Sequence, residues 1–200
     1  MTKQGVIFRT GRLNKSDTSE LEASITSQGI NTMLNDLKVK TEIDLRMTDN
    51  DEVGGLKEGY GVLGRTVKYY QCPMEYVNTM DVSGTDESLR KVFSILGNKD
   101  NYPLFFHCSI GTDRTGYISW LINAMLGVSE EYLWRDYLFS NFGYIGGKRN
   151  KSNIENGYVS FIKESQGTTL QEKTTNFLLN KGVKQKELDV IKEMMLDNDN

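Results

Sequence analysis

A chain of 200 residues with 38% hydrophobic content can bury one good core, so a single domain is expected over residues 1–196, with a disordered tail at 197–200. The net charge of −3 gives no footprint for nucleic acid, and no apolar run reaches transmembrane length or resembles a signal peptide, which excludes an integral membrane segment. Two dissimilar cysteines make no disulfide framework, so the compartment stays open between the cytoplasm and export with the signal removed.

In chain order, Val6 to Arg9 reads as a first strand, and 18–28 and 31–37 read as helical. Strands follow at Val39 to Leu45 and Val67 to Gln71, separated by a long loop from Met47 to Arg65 with glycines at 54, 55, 59, 61 and 64. Loops of that length in compact domains often line a site. A helix over Thr85 to Leu96 precedes a short buried strand, Tyr102 to Phe106, and a nearly uncharged helix, Thr115 to Leu126. Beyond Gly127 the pattern is all helix: Ser129 to Phe139 with a serine cap, Asn153 to Glu164, Thr169 to Leu179 and Lys184 to Leu196. This order predicts an α/β fold, a central mostly parallel sheet of about four to five strands flanked by helices, with a helical C-terminal third. The aromatic residues Tyr132, Trp134, Tyr137, Phe139, Phe142 and Tyr144 are expected in the core, with Phe142 or Tyr144 free to border a pocket near Gly143, Gly146 and Gly147.

The run HCSIGTDRTG, His107 to Gly116, holds the single histidine and one of the two cysteines. A Cys-x5-Arg pair arises by accident in about one such chain in twelve, but the added His, Gly and Thr-Gly lower that to on the order of one in a million. The run joins a strand end to a helix start, so the backbone N–H groups of Ser109, Ile110, Gly111 and Thr112 and the helix N-terminus form a nest for a dianion that needs no metal and implies no cofactor. Arg114 adds a planar fork for two phosphate oxygens. The same field favours the thiolate of Cys108, which is then the nucleophile that forms a cysteinyl-phosphate. His107 points to the opposite side of the strand and is expected to fix the cysteine's backbone and field rather than act as a base. Phosphate or sulfate is the expected occupant of the loop.

These residues resemble the signature loop of the cysteine-dependent protein tyrosine phosphatase superfamily, and in particular a bacterial, dual-specificity-like branch whose loop reads HCxxGKDRTG. Its FRSG, DLR and DYxxSN elements correspond to Phe8-Arg9-Thr10-Gly11, Asp44-Leu45-Arg46 and Asp136-Tyr137-Leu138-Phe139-Ser140-Asn141, and the resemblance covers roughly residues 5 to 196. The branch's NxRDxGG segment is absent upstream, as expected of a trimmed domain. Thr112 stands where the branch has the Lys associated with phosphoinositide substrates.

The resemblance implies that Asp113 is the general acid; the plainer reading is that it orients loop amides or the guanidinium. Asp81 is the second candidate acid and Glu75 the third. Thr115 is implied in helping the sulfur leave, and is alternatively a cap for the helix start. Asp44, Arg46 and Arg9, at strand ends, are expected to support the loop in preference to touching substrate. Cys72 reads as a buried bystander, with a reversible disulfide to Cys108 as the alternative. Lys148, Arg149 and Lys151 read as a solvated loop, with contact to an acidic substrate as the sharper possibility. The expected activity is phosphate-monoester hydrolysis, first on protein phosphotyrosine. Phosphoinositide or inositol phosphate is the runner-up substrate, followed by a silent phosphate-binding module.

Overall fold

Four short segments rich in aromatic and β-branched residues suit a pleated buried surface: IFRT in β1 (Ile7–Thr10), TEID in β2 (Thr41–Asp44), KYYQ in β3 (Lys68–Gln71) and LFFH in β4 (Leu104–His107). In the computed structural model, which describes residues 2–15, 24–48, 52–75, 85–143 and 147–197, they form one parallel sheet in the order β1-β4-β2-β3. The fold is therefore the expected α/β architecture, with four strands among the described residues. Thr10 and Asp44 both pair with His107, and Gln71 pairs with Asp44. The strands thus end on one line, and the segments that leave them gather along the carboxyl edge, where open α/β sheets bind ligands.

Alternation within β4 divides its side chains between two cores. Leu104 and Phe106 join the large one, while Phe105 packs with Leu13, Val39, Leu63 and Val67 on the other face. Helix α1 (Ser27–Asn31) is capped by Thr26 and continues into a π turn, Thr32–Asp36, covering part of the predicted helices; residues 18–23 lie outside the described residues. Helix α2 (Thr85–Leu96) has the predicted bounds and buries Leu89, Val92, Phe93 and Leu96 at i, i+3, i+4, i+7 spacing. Helix α3 (Asp113–Met125) buries every residue but Asn123, because the sheet, α4 (Glu130–Phe139) and α7 (Leu170–Asn180) surround it. Gly116 makes this closeness possible: a Cβ there would stand 2.7 Å from the Tyr137 ring.

Three expectations need correction. The helix expected over Asn153 to Glu164 is α5 (Ser152–Ile154), a π turn (Glu155–Val159) and α6 (Ser160–Glu164). The wider turn lets Tyr158 stack on Tyr117 at 4.2 Å and donate to the Glu75 carbonyl at 2.8 Å. Ser129 holds the N-cap position of α4, but its hydroxyl makes no capping bond, whereas Thr169 and Glu172 form a capping box on α7. Of the aromatic residues assigned to the core, Trp134 and Tyr137 are buried, while Tyr132 and Phe139 on α4 and Phe142 in the turn that follows it are exposed. Helix α8 (Gln185–Met195) closes against α2.

Candidate active site

Cys108 is the first residue after β4, and the chain turns back at once to start α3 at Asp113. The turn requires glycine at 111, which has φ +74° and whose added Cβ would lie 2.5 Å from the Thr10 carbonyl oxygen. Cys108 is buried. Burial alone raises a thiol's pKa, but the Arg114 charge, the Thr115 hydroxyl and the N–H groups of Thr115 and Gly111 outweigh it and hold Cys108 below its usual range. The Thr115 hydroxyl has no oxygen or nitrogen partner among the described residues and lends its dipole to the sulfur instead. It caps nothing, since the N-cap position belongs to Thr112, which corrects the capping alternative. Ser109 and Ile110 are half-buried at the loop's outer edge, and Thr112 is buried.

Arg114 is held by a residue that the sequence pattern did not single out. Glu52, from the glycine-rich segment after β2, accepts from Nη1 at 2.9 Å and also from Nη2. The carbonyls of Met74 and Leu45 accept from Nη1 at 3.2 and 3.4 Å. Glu52 also accepts from the Ser109 hydroxyl and from the Met47 N–H. Burial opposes charge on Glu52, yet these donors, Arg114 first, pull its pKa down to about 2. Arg114 in turn keeps its proton more tightly than a free guanidinium despite burial, through Glu52 and the cysteine charge. The only hint in the sequence was the length of the loop that carries Glu52.

Asp113 is buried and accepts from Tyr137 Oη at 2.7 Å and from Arg149 Nε at 3.1 Å on both carboxylate oxygens. Arg149 is therefore an ion-pair partner of the loop, a correction to the solvated-loop reading. Asn141 fixes it, accepting from its N–H at 2.7 Å and donating to its carbonyl at 2.8 Å. Lys148 and Lys151 remain exposed, with Lys151 Nζ 5.3 Å from the centroid of the Trp134 ring. Of the other candidate acids, Glu75 is exposed and Asp81 lies outside the described residues, as do Tyr144 and Gly146. Phe139 and Phe142 border a cleft of about 410 Å³ beside Gly111 and Thr112.

Beneath the loop, His107 is fully buried, with Nε2 3.0 Å from Glu42 and Nδ1 3.2 Å from the Cys108 carbonyl. Burial disfavours its charge, but Asp44 and Glu42 override it and raise its pKa. Asp44 and Arg46 form a wholly buried pair; Arg46 also reaches the Glu52 carbonyl at 3.0 Å and Asn14 at 2.9 Å. Burial raises and His107 and Arg46 lower the Asp44 pKa, with a net decrease. On the other side, Arg9 bridges Asp136 and the Gly111 carbonyl, the latter at 2.9 Å. Arg9 thus bonds the loop directly, whereas Asp44 and Arg46 reach it through His107 and Glu52. Cys72 continues β3, two strand spacings from the line of β4, about 10 Å and beyond disulfide reach of Cys108. Burial pushes its thiol up to about 12.

A profile described as the tyrosine phosphatase family matches residues 1–197. Among solved structures, the chain is similar to TpbA from P. aeruginosa, with 15% identity and a TM-score of 0.51 over 87% of each chain. A Cys-to-Ser form of that protein in complex with pTyr gives 14% identity and a TM-score of 0.51, covering 87% of this chain and 86% of the other. The core catalytic domain of the PP-IP phosphatase SIW14 from S. cerevisiae, in complex with citrate, gives 20% identity and a TM-score of 0.50, covering 78% of this chain and 84% of the other. Identities at this level speak for the fold. Among the described residues, no helix is long and apolar enough to cross a membrane.

Proposed function

Because this chain belongs to the tyrosine phosphatase family and is a phosphoric monoester hydrolase, we propose that its substrate is phosphotyrosine on protein and that it works through a cysteinyl-phosphate. The observation that carries this reading is the Cys108 thiol, held below its usual pKa by Arg114 and the loop N–H groups within a turn that only Gly111 permits. The thiolate attacks phosphorus in line; the S–P bond forms as the bond from phosphorus to the tyrosyl oxygen breaks, and Asp113 gives that oxygen a proton. Water then attacks phosphorus, Asp113 takes its proton, and the S–P bond breaks with the Thr115 hydroxyl donating to the departing thiolate. Arg114 and the loop amides meet the charge on the equatorial oxygens in both steps.

Thr112, in place of the lysine linked to lipid substrates, favours phosphotyrosine over a phosphoinositide. The test is phosphate release from a phosphotyrosine peptide and from a panel of phosphoinositides and inositol phosphates, in EDTA, by the wild type and by Cys108→Ser. The peptide is expected to lead the panel, and the serine variant to lose turnover while still binding the peptide. A panel led by the inositol compounds overturns the substrate assignment; a serine variant that still turns over removes the cysteine mechanism.

A further inference from the structure

Five arginines stand around the phosphate loop, and four have carboxylate partners: Arg9 with Asp136, Arg46 with Asp44, Arg114 with Glu52, and Arg149 with Asp113. Arg12 differs. Its N–H donates to the Ser109 carbonyl at 3.1 Å, which places it beside the loop on the flank where Glu52 also bonds Ser109. The residue is only 7% exposed, and among the described residues its buried Nε has no hydrogen-bond partner and its side chain makes no ion pair. Burial and Arg46 both weaken its hold on the proton, and Glu52 only partly opposes them.

A guanidinium does not give up its proton in proteins, so a buried, unpaired one is costly unless an anion joins it. Arg46 pairs with Asp44 and Arg114 with Glu52, while the single positive charge of Arg12 has no ion-pair partner among the described residues. One unit suits a carboxylate; a second phosphate brings close to two negative charges toward the ionised Glu52.

We infer that Arg12 forms an oxyanion subsite on the Ser109 flank of the phosphate loop and receives the carboxylate of an acidic residue neighbouring the phosphotyrosine. This rests on the phosphotyrosine reading above. The enzyme is then selective for acidic phosphotyrosine sequences, through binding at a point separate from the reacting phosphate.

The experiment measures kcat/KM on peptides that differ by Glu or Gln at one position at a time, from two before to two after the phosphotyrosine. Wild type is expected to prefer Glu at one or more positions by about tenfold, chiefly in KM, the size of one charge-assisted contact, and the preference should shrink with added salt. Arg12→Gln should bring the ratio within about twofold, and Arg12→Lys, which keeps the charge and loses the fork, should retain about threefold. The ratio is taken within each protein, so a general loss of activity does not obscure it. Should Arg12→Gln not fold, Arg12→Lys decides, since an undiminished preference there removes the forked contact. Equal rates for Glu and Gln peptides in the wild type, or a preference that survives Arg12→Gln, overturn the subsite and leave the phosphotyrosine reading intact. Hydrolysis of inositol bisphosphates with no peptide turned over overturns both.

Discussion

Asp113 and Arg114 are adjacent in the chain, yet each is anchored by a distant residue of opposite charge. On one flank Glu52 grips Arg114; on the other Arg149 grips Asp113. Both anchors come from segments rich in glycine, and the polarity is reversed between them. Glu52 keeps its partner in the state the proposed reaction needs, a charged fork facing phosphate. Arg149 donates to both carboxylate oxygens of its partner, the group assigned to carry a proton to the leaving oxygen in the proposed reaction. The Glu52 pairing therefore holds a charge on the proposed phosphate fork and the Arg149 pairing holds an orientation shared with Tyr137, so breaking them should have unequal consequences.

The sharpest contrast comes from charge removal. Glu52→Gln is expected to lower kcat/KM about a hundredfold for every phosphate ester, since it loosens the arginine that meets the transition-state charge irrespective of the leaving group. Equal activity of this variant and the wild type would remove Glu52 from the site. Asp113→Asn should lower turnover of phenyl phosphate about a hundredfold but that of p-nitrophenyl phosphate less than tenfold, because a good leaving group needs little help from an acid. The same loss on both esters makes Asp113 an orienting residue and returns the acid role to Asp81. A smaller loss of kcat/KM, about tenfold, is expected of Arg149→Met, which leaves Tyr137 to orient Asp113. A loss as large as that of Glu52→Gln would erase the asymmetry.

The smallest expected effect is on stability against pH. The Glu52 pKa is depressed to about 2 from 4.5 and that of Asp44 is also lowered, so their contribution is complete above about pH 4.5 and is lost as pH falls toward 2. The His107 pKa is raised, so its contribution is complete below about 6.5 and is lost as pH rises through the folded-state value. Thermal melts across pH should therefore peak between these limits, and Glu52→Gln should flatten the acid side. An acid side identical in the two proteins speaks against Glu52 as an ionised anchor.

Local chemistry was legible in the sequence where it depends on neighbours. The bounds of α2 follow from a helical period, and the turn at Gly111 and the start of α3 follow from ten contiguous residues. The DLR and DYxxSN elements were legible as positions but not as contacts: Asp136 meets Arg9, Tyr137 meets Asp113 and Asn141 meets Arg149. Likewise Trp134 and Phe139 looked equivalent in sequence, and only the packing of α4 against α3 buried one and exposed the other.

By itself, then, the sequence determined the setting of Cys108: a strand, a glycine turn, an arginine and a helix start, all within reach of one another along the backbone. Tertiary structure decided what holds that setting in place. Glu52 is 62 residues from Arg114 and Asp113 is 36 from Arg149. No periodicity relates residues so far apart: Glu52 meets Arg114 because the parallel strands end on one line and bring the segments that follow them to the same edge of the sheet, and Arg149 meets Asp113 because α4 packs on α3 and Asn141, just beyond α4, holds Arg149 there.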